Sequence, residues 1–202
     1  MTLFRIGAIA FGAFALVLVA VLVVGALLPG TWTAEGSAMI RADPEAIFAH
    51  LETAEAWDAW TPSPDSGYEH FGPRTGEGSG RAWDDPTYGQ GRFVIRDLAP
   101  PRRIAYDVEV EAGAILIQGT IELEKVDDAT AVRWREVGNF GWNPLLGFLA
   151  GRMEEMQGDQ LDASLQRLKA LVEEEAVEGG SSGVGSPDGT ARVSPQRFAR
   201  LN

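Results

Sequence analysis

The longest uninterrupted pattern in the chain is apolar: from Ile6 to Leu28 there is no charged residue, no Pro and no Asn or Gln. A helix over that stretch, rising about 1.5 Å per residue, reaches slightly beyond the roughly 30 Å hydrocarbon core of a bilayer. It predicts one uncleaved transmembrane helix over residues 6–28, after a short flank at 1–5. A secretory signal is the rival, but its apolar run is usually about 7–15 residues and closes on a small-x-small site. This one closes on Leu27-Leu28-Pro29-Gly30. No polar stripe is present, as a surface helix of a globular core would need.

Beyond the apolar run the period changes. A strand-like run from Trp32 to Arg41 is followed by a helix start: Asp43 suits the cap, Pro44 the first helical position, and Ile47, Phe48 and Leu51 form one apolar face. A second short helical turn covers 52–57. Pro62, Pro64, Gly67, Gly72, Pro73, Gly76, Gly78 and Gly80 then exclude helix and call for short strands joined by turns. From Gly91 apolar and polar residues alternate. Phe93 and Ile95 share a face; Tyr106 and Val108 oppose Asp107 and Glu109; Ile117 and Ile121 oppose Gln118 and Glu122; Val132 and Trp134 oppose Arg133 and Arg135. These are half-buried antiparallel strands. After Asn143-Pro144 a helical stripe appears at Leu146, Leu149, Met153, Met156, Leu161, Leu165, Leu168 and Val172. From residue 176 the Gly- and Ser-rich tail cannot bury apolar surface and is expected to be disordered. The order predicts an α+β domain over 31–175, in which a curved antiparallel sheet wraps a long C-terminal helix.

Charge narrows the partners. Past residue 28 stand 16 basic and 29 acidic residues, a formal balance of −13. Nucleic acid is excluded as a partner, because binding it relies on neutralising phosphates. The absence of Cys removes disulfides, thiolate metal sites and Cys nucleophiles. His50 and His70 are the only histidines, so no metal site is expected; both are read as surface residues. No cofactor is expected either. Arg5 before the apolar run and the acidic chain after it point, by the positive-inside rule, to a single-pass protein of the cell (inner) membrane, with a cytoplasmic N-terminus and an extracytoplasmic domain.

Several short motifs carry a resemblance. They are Pro44-Glu45-Ala46-Ile47-Phe48, the Trp57 and Trp60 pair before Pro62, Gly78-x-Gly80 with Trp83, Gly89-x-Gly91, the run from Pro100 to Tyr106, Val132-x-Trp134, and Gly158-Asp159-Gln160-Leu161 with Leu165, Leu168 and Lys169. In this order and spacing the chain, from Trp32 to Glu175, resembles the polyketide cyclase/dehydrase and lipid-transport family of the START-like (helix-grip, SRPBCC) superfamily. With its apolar N-terminal segment it resembles a membrane-anchored subgroup. The resemblance implies a helix-grip fold with a cavity between sheet and long helix that takes a lipid, a polyketide or another hydrophobic small molecule. It implies no catalytic motif, since members range from carriers to cyclases.

On the inner sheet face the expected lining is Phe93, Ile95, Tyr106, Ile117, Ile121 and Trp134, with Trp83 near the turns and Met153 and Met156 on the helix. The same residues would serve a solid core equally well; the resemblance is what raises the pocket reading. Trp57, Trp60 and Trp83, beside Pro and Gly turns, could gate a cavity mouth, touch the bilayer interface or anchor loops by packing. Glu136 continues the inward phase of Val132 and Trp134. A lone buried carboxylate is costly, so a strand end or bulge that releases it to solvent is the preferred reading. Were it inside, Glu136 would be a candidate general acid or base with Tyr106 as donor. The leading functional expectation is a noncatalytic binder or carrier of a hydrophobic molecule at the membrane. A cyclase or dehydratase, and an interaction module with a filled cavity, are the alternatives.

Overall fold

The computed structural model describes residues 2–141 and 146–182, with side chains over 11–141 and 146–178. In chain order α1 (Thr2–Leu27) is followed by β1 (Thr31–Ile40), α2 (Pro44–Phe48), a 3-10 turn at Ala56–Ala59, β2 (Glu69–Phe71), β3 (Gly80–Asp85), β4 (Gly89–Ala99), β5 (Arg103–Val110), β6 (Ile115–Val126), β7 (Ala129–Asn139), a 3-10 turn at Gly147–Leu149 and α3 (Ala150–Ser182). The strands make one curved antiparallel sheet in the order β1-β7-β6-β5-β4-β3-β2. The α+β layout read from the alternation is the observed one, and sheet and C-terminal helix fit a helix-grip fold.

Local chemistry explains the joints. Asp43 occupies the position before α2 with extended backbone, and Pro44 opens the helix. The Asp43 side chain does not cap, however; its Oδ1 accepts from Lys125 Nζ at 2.7 Å and ties α2 to the end of β6. The 3-10 turn is held by its tryptophans: Trp57 Nε1 donates to Leu51 O at 2.8 Å and Trp60 Nε1 to His50 O at 3.2 Å. Both indoles are fully buried. They anchor the loop, and Arg167 of α3 donates to Trp60 O at 2.9 Å.

α3 lies against β1, where Gly36 sets the separation: a Cβ there would fall 3.1 Å from Leu161 Cβ. From Leu161 onward the helix buries Leu165, Leu168 and Val172 in one core with Ile40, Ile47, Leu51, Ile104, Ile121 and Val132. β4 carries a register shift between Ile95 and Asp97, so Leu98 rather than Asp97 returns to the inner face opposite Ile104.

Three expectations are corrected here. Among the described residues no helix is long and apolar enough to cross a membrane. The transmembrane helix over 6–28, the membrane as partner, the cell-membrane location and the orientation drawn from Arg5 are therefore withdrawn. Second, α3 continues to Ser182, past residue 175, where the domain was expected to end. Residues 183–202, which hold the remainder of the tail, lie outside the described residues, as do Asn143 and Pro144. Third, His50 is mostly covered rather than at the surface, with its Nε2 3.0 Å from Glu175 Oε2.

Candidate functional site

Toward the N-terminal half of α3 the interior is hollow. A cavity of about 470 Å³ lies between the sheet and the helix. Its wall takes Trp83 from β3, Phe93 from β4, Tyr106 and Val108 from β5, Ile117 from β6, Trp134 and Glu136 from β7, and Met153, Met156 and Gln157 from α3. Trp57, Pro62, Pro64 and Tyr68 close it from the loop side. Of the nine residues expected to line a pocket, seven do. Ile95 and Ile121 do not: both are fully buried in the solid core, Ile95 next to the β4 bulge and Ile121 beneath α3.

Met156 touches the cavity from a different place than expected, being 58 % exposed at its rim. The inward row of α3 runs in steps of four, Met153, Gln157, Leu161 and Leu165, and Met156 is one residue off it. Gln157 was missed because a polar residue was not sought on the apolar stripe.

Glu136 is inside. It is 4 % exposed and keeps the inward phase of β7, which pairs with β1 and β6 in unbroken register through this position, so neither the expected strand end nor a bulge releases it. Its desolvation is offset by neutral donors: Tyr106 Oη donates to Glu136 Oε1, and Gln157 Nε2 donates to Oε2 at 2.7 Å. Trp134 Nε1 in turn donates to Tyr106 Oη at 2.6 Å. Burial raises the Glu136 pKa above the ordinary carboxylate value, while the bonds from Tyr106 and Gln157 pull it down. Tyr106 lies well above an ordinary phenol, first through burial and then through the neighbouring Glu136. The phenol therefore stays protonated and can only donate to the carboxylate.

A glycine makes this pair possible. Tyr106 and Glu136 stand on strands two apart, and each pairs with Gly119 on the strand between them. A Cβ at Gly119 would sit 1.9 Å from Tyr106 Cζ and 2.3 Å from its oxygen. Without a side chain there, the phenol lies down across β6 and reaches the carboxyl.

A second polar group lines the cavity from β3. Arg81 is 6 % exposed. Its Nη1 meets Asp58 Oδ1 at 2.7 Å and its Nη2 donates to Thr61 Oγ1 at 2.9 Å, while the guanidinium covers the Tyr68 ring at 4.1 Å. Asp58 is shared with His70, whose Nε2 lies 3.0 Å from Oδ2. Burial raises the Tyr68 pKa against the lowering effect of Arg81. Arg81 Nε and Trp83 Nε1 have no acceptor among the described residues. Arg81 was missed, although the signal was present: it precedes Trp83 by two, and a strand that turns Trp83 inward turns Arg81 inward too. Among the described residues no group of His, Asp and Glu could hold a metal ion.

Comparison with known proteins bears on this architecture. The fold of a di-domain aromatase/cyclase, StfQ from the steffimycin biosynthetic pathway, superposes with a TM-score of 0.57 at 14 % identity, covering 73 % of this chain and 52 % of that one. This chain thus spans about half of the di-domain protein. A norcoclaurine synthase point mutant from Thalictrum flavum gives 0.55 at 12 % identity, over 72 % and 96 % of the two chains. A hypothetical protein from Helicobacter pylori gives 0.53 at 16 % identity, over 69 % and 87 %. At these identities the likeness concerns the fold. A search of curated proteins found no match to the chain. The family model described as polyketide cyclase / dehydrase and lipid transport matches residues 31–173, from the first residue of β1 well into α3. With the sheet, the hollow interior and most of the closing helix inside that span, the chain belongs to the polyketide cyclase/dehydrase and lipid-transport family.

Proposed function

We propose that this chain binds a hydrophobic small molecule, lipid or polyketide-like, in the cavity between the sheet and α3, and holds or carries it without transforming it. The observation that carries the reading is the cavity itself: about 470 Å³, walled mainly by aromatic and aliphatic side chains with a few polar groups converging on it. Volumes of roughly 300–1,000 Å³ with this kind of lining are the usual home of drug-sized ligands. An interaction module that filled its interior with its own side chains would not leave such a space. Solvent extraction of the purified full chain followed by mass spectrometry tests the reading. A hydrophobic molecule at a sizeable fraction of one per chain supports it, and an empty extract together with no uptake of any apolar probe contradicts it.

One observation favours a second reading, a cyclase- or dehydratase-type enzyme. Glu136 and Tyr106 meet in the cavity wall, where a carboxyl with a raised pKa could move a proton to or from a bound molecule. That reading requires turnover of a bound compound by the parent chain and its loss in Glu136→Gln with binding retained.

A further inference from the structure

The two polar groups in the cavity wall are unequal. Arg81 is buried together with a carboxylate, Asp58, so its charge is matched at 2.7 Å. Glu136 is buried without a cation: among the described residues it enters no ion pair, and the two donors it has are the uncharged Tyr106 and Gln157. No neighbour in the sheet can supply a charge either, because Ala34 of β1 and Gly119 of β6 are the residues paired with it. A buried carboxylate that accepts two hydrogen bonds has lone pairs to spare and favours a positive partner strongly.

Resting on the hydrophobic-ligand reading above, we infer that the cavity selects an apolar molecule bearing a protonated amine, which places its ammonium against Glu136. The rest of the wall suits such a ligand. Its apolar body lies along Val108, Ile117 and Met153, and the Tyr106 bonded to the carboxyl is the centre of an aromatic cluster, with the Trp57 ring 5.0 Å from Tyr106 and 5.9 Å from Trp134, whose indole donates to the phenol oxygen. Aromatic groups beside a carboxylate favour a desolvated cation further. Arg81 does not spoil the selection, since Asp58 and Thr61 hold its guanidinium on β3.

The inference has a pH signature. Burial raises the Glu136 pKa, so at low pH a proton occupies the position that the ammonium needs. Affinity for an amine therefore rises with pH as Glu136 ionises, and it falls again where the amine itself loses its proton. Tyr106 remains protonated across this range. The other ionisable groups facing the cavity are Tyr68, Tyr88 and Arg81, the last with Asp58 and, through it, His70. His70 is the histidine of this set, and His70→Gln serves as its control.

The test uses the full chain and two fluorescent probes of matched shape: dansylcadaverine, whose tail ends in an ammonium, and N-pentyl dansylamide, whose tail ends in a methyl group. The parent should bind the cationic probe about tenfold or more tightly than the neutral one, as a charge-assisted contact in a dry site implies. The preference should shrink as the pH is lowered and Glu136 takes up its proton. In Glu136→Gln the ratio of the two affinities should approach one, and in His70→Gln it should persist. Equal binding of both probes by the parent overturns the inference while leaving the hydrophobic-ligand reading intact. A preference that survives Glu136→Gln overturns the assignment to that carboxyl. Binding of neither probe overturns the inference and the reading on which it rests.

Discussion

The interface between α3 and the sheet has two halves, assembled by the same alternation of strand and helix positions, and they end up differently. In the half from Leu165 to Val172 the inward residues Leu165, Leu168 and Val172 are buried in one core with Ile40, Ile104, Ile121 and Val132, and Leu161 stands at the junction, buried yet bordering the cavity. In the half around Met153 and Gln157 the sheet offers Phe93, Tyr106, Val108, Ile117, Trp134 and Glu136, and the walls stand apart. Polarity separates them. Where a carboxyl, a phenol and an amide satisfy one another along the wall, the helix cannot settle onto the sheet without displacing that network, and the volume stays open. Side-chain phase therefore says which face a residue uses, and the partner across the gap decides whether that face is packed or hollow.

The sharpest way to break the comparison is to truncate the solid half. Leu168→Ala removes a fully buried side chain and should lower the unfolding free energy by about 2–5 kcal/mol, while affinity for an apolar probe changes little. Chemical denaturation with a parallel probe titration checks both. A comparable loss of binding would mean that the halves are not independent.

Gly119→Ala strikes the hinge of the polar network. The added methyl cannot coexist with the Tyr106 ring, so the phenol must leave Glu136 at a cost of about 1–3 kcal/mol. The fluorescence of Trp134, whose indole N–H loses its acceptor, should change with it. An unchanged spectrum and midpoint would show that the phenol does not depend on the gap in β6.

Glu136→Gln is smaller at neutral pH and larger in its pH dependence. The folded-state pKa of Glu136 is raised, so the folded chain holds the proton more tightly than the unfolded one. The stability this contributes is complete below the unfolded value, near 4.5, and is lost as pH rises through the folded pKa. Parent stability should fall over that window, and the Gln variant, which has no such proton, should lack that part of the fall. Urea midpoints measured at several pH values report the difference; parallel curves for the two chains would contradict the burial of an unpaired carboxyl.

Met156→Ala should matter least for folding. At 58 % exposure it contributes under about 1 kcal/mol, yet it borders the cavity rim and its loss should weaken probe binding measurably.

Much of this was legible in the chain. The alternation located β1 and β4 to β7, the switch to a helical period located the closing helix, and the inward phase of β4 to β7 placed Phe93, Tyr106, Ile117 and Trp134 on one face; β2 and β3 were read only as short strands among turns. What escaped it was non-local. Glu136 was read as released to solvent because the donors that allow its burial come from α3 and from a strand two away, across a glycine whose role only the register reveals. Ile95 is on the inner face in phase with Phe93, but it is buried in the packed core and does not border the cavity. Met156 was placed in the inward row on an i+3 step, whereas the helix follows the row of Gln157. Arg81 was readable from Trp83 but went unread, since a cation is not sought on an apolar face.

The central claim, that the half around Met153 is a ligand cavity, is tested most directly by filling it. Ile117 stands in the wall among apolar neighbours, and Ile117→Trp would place an indole in the open volume. Titration of the full chain with the neutral probe N-phenyl-1-naphthylamine should saturate for the parent at about one probe per chain, as expected of a single pocket of this size. The Trp variant should bind about tenfold or more weakly with its unfolding midpoint retained, because it occupies space rather than removing packing. Equal binding by parent and variant, or no binding by the parent, would contradict the account.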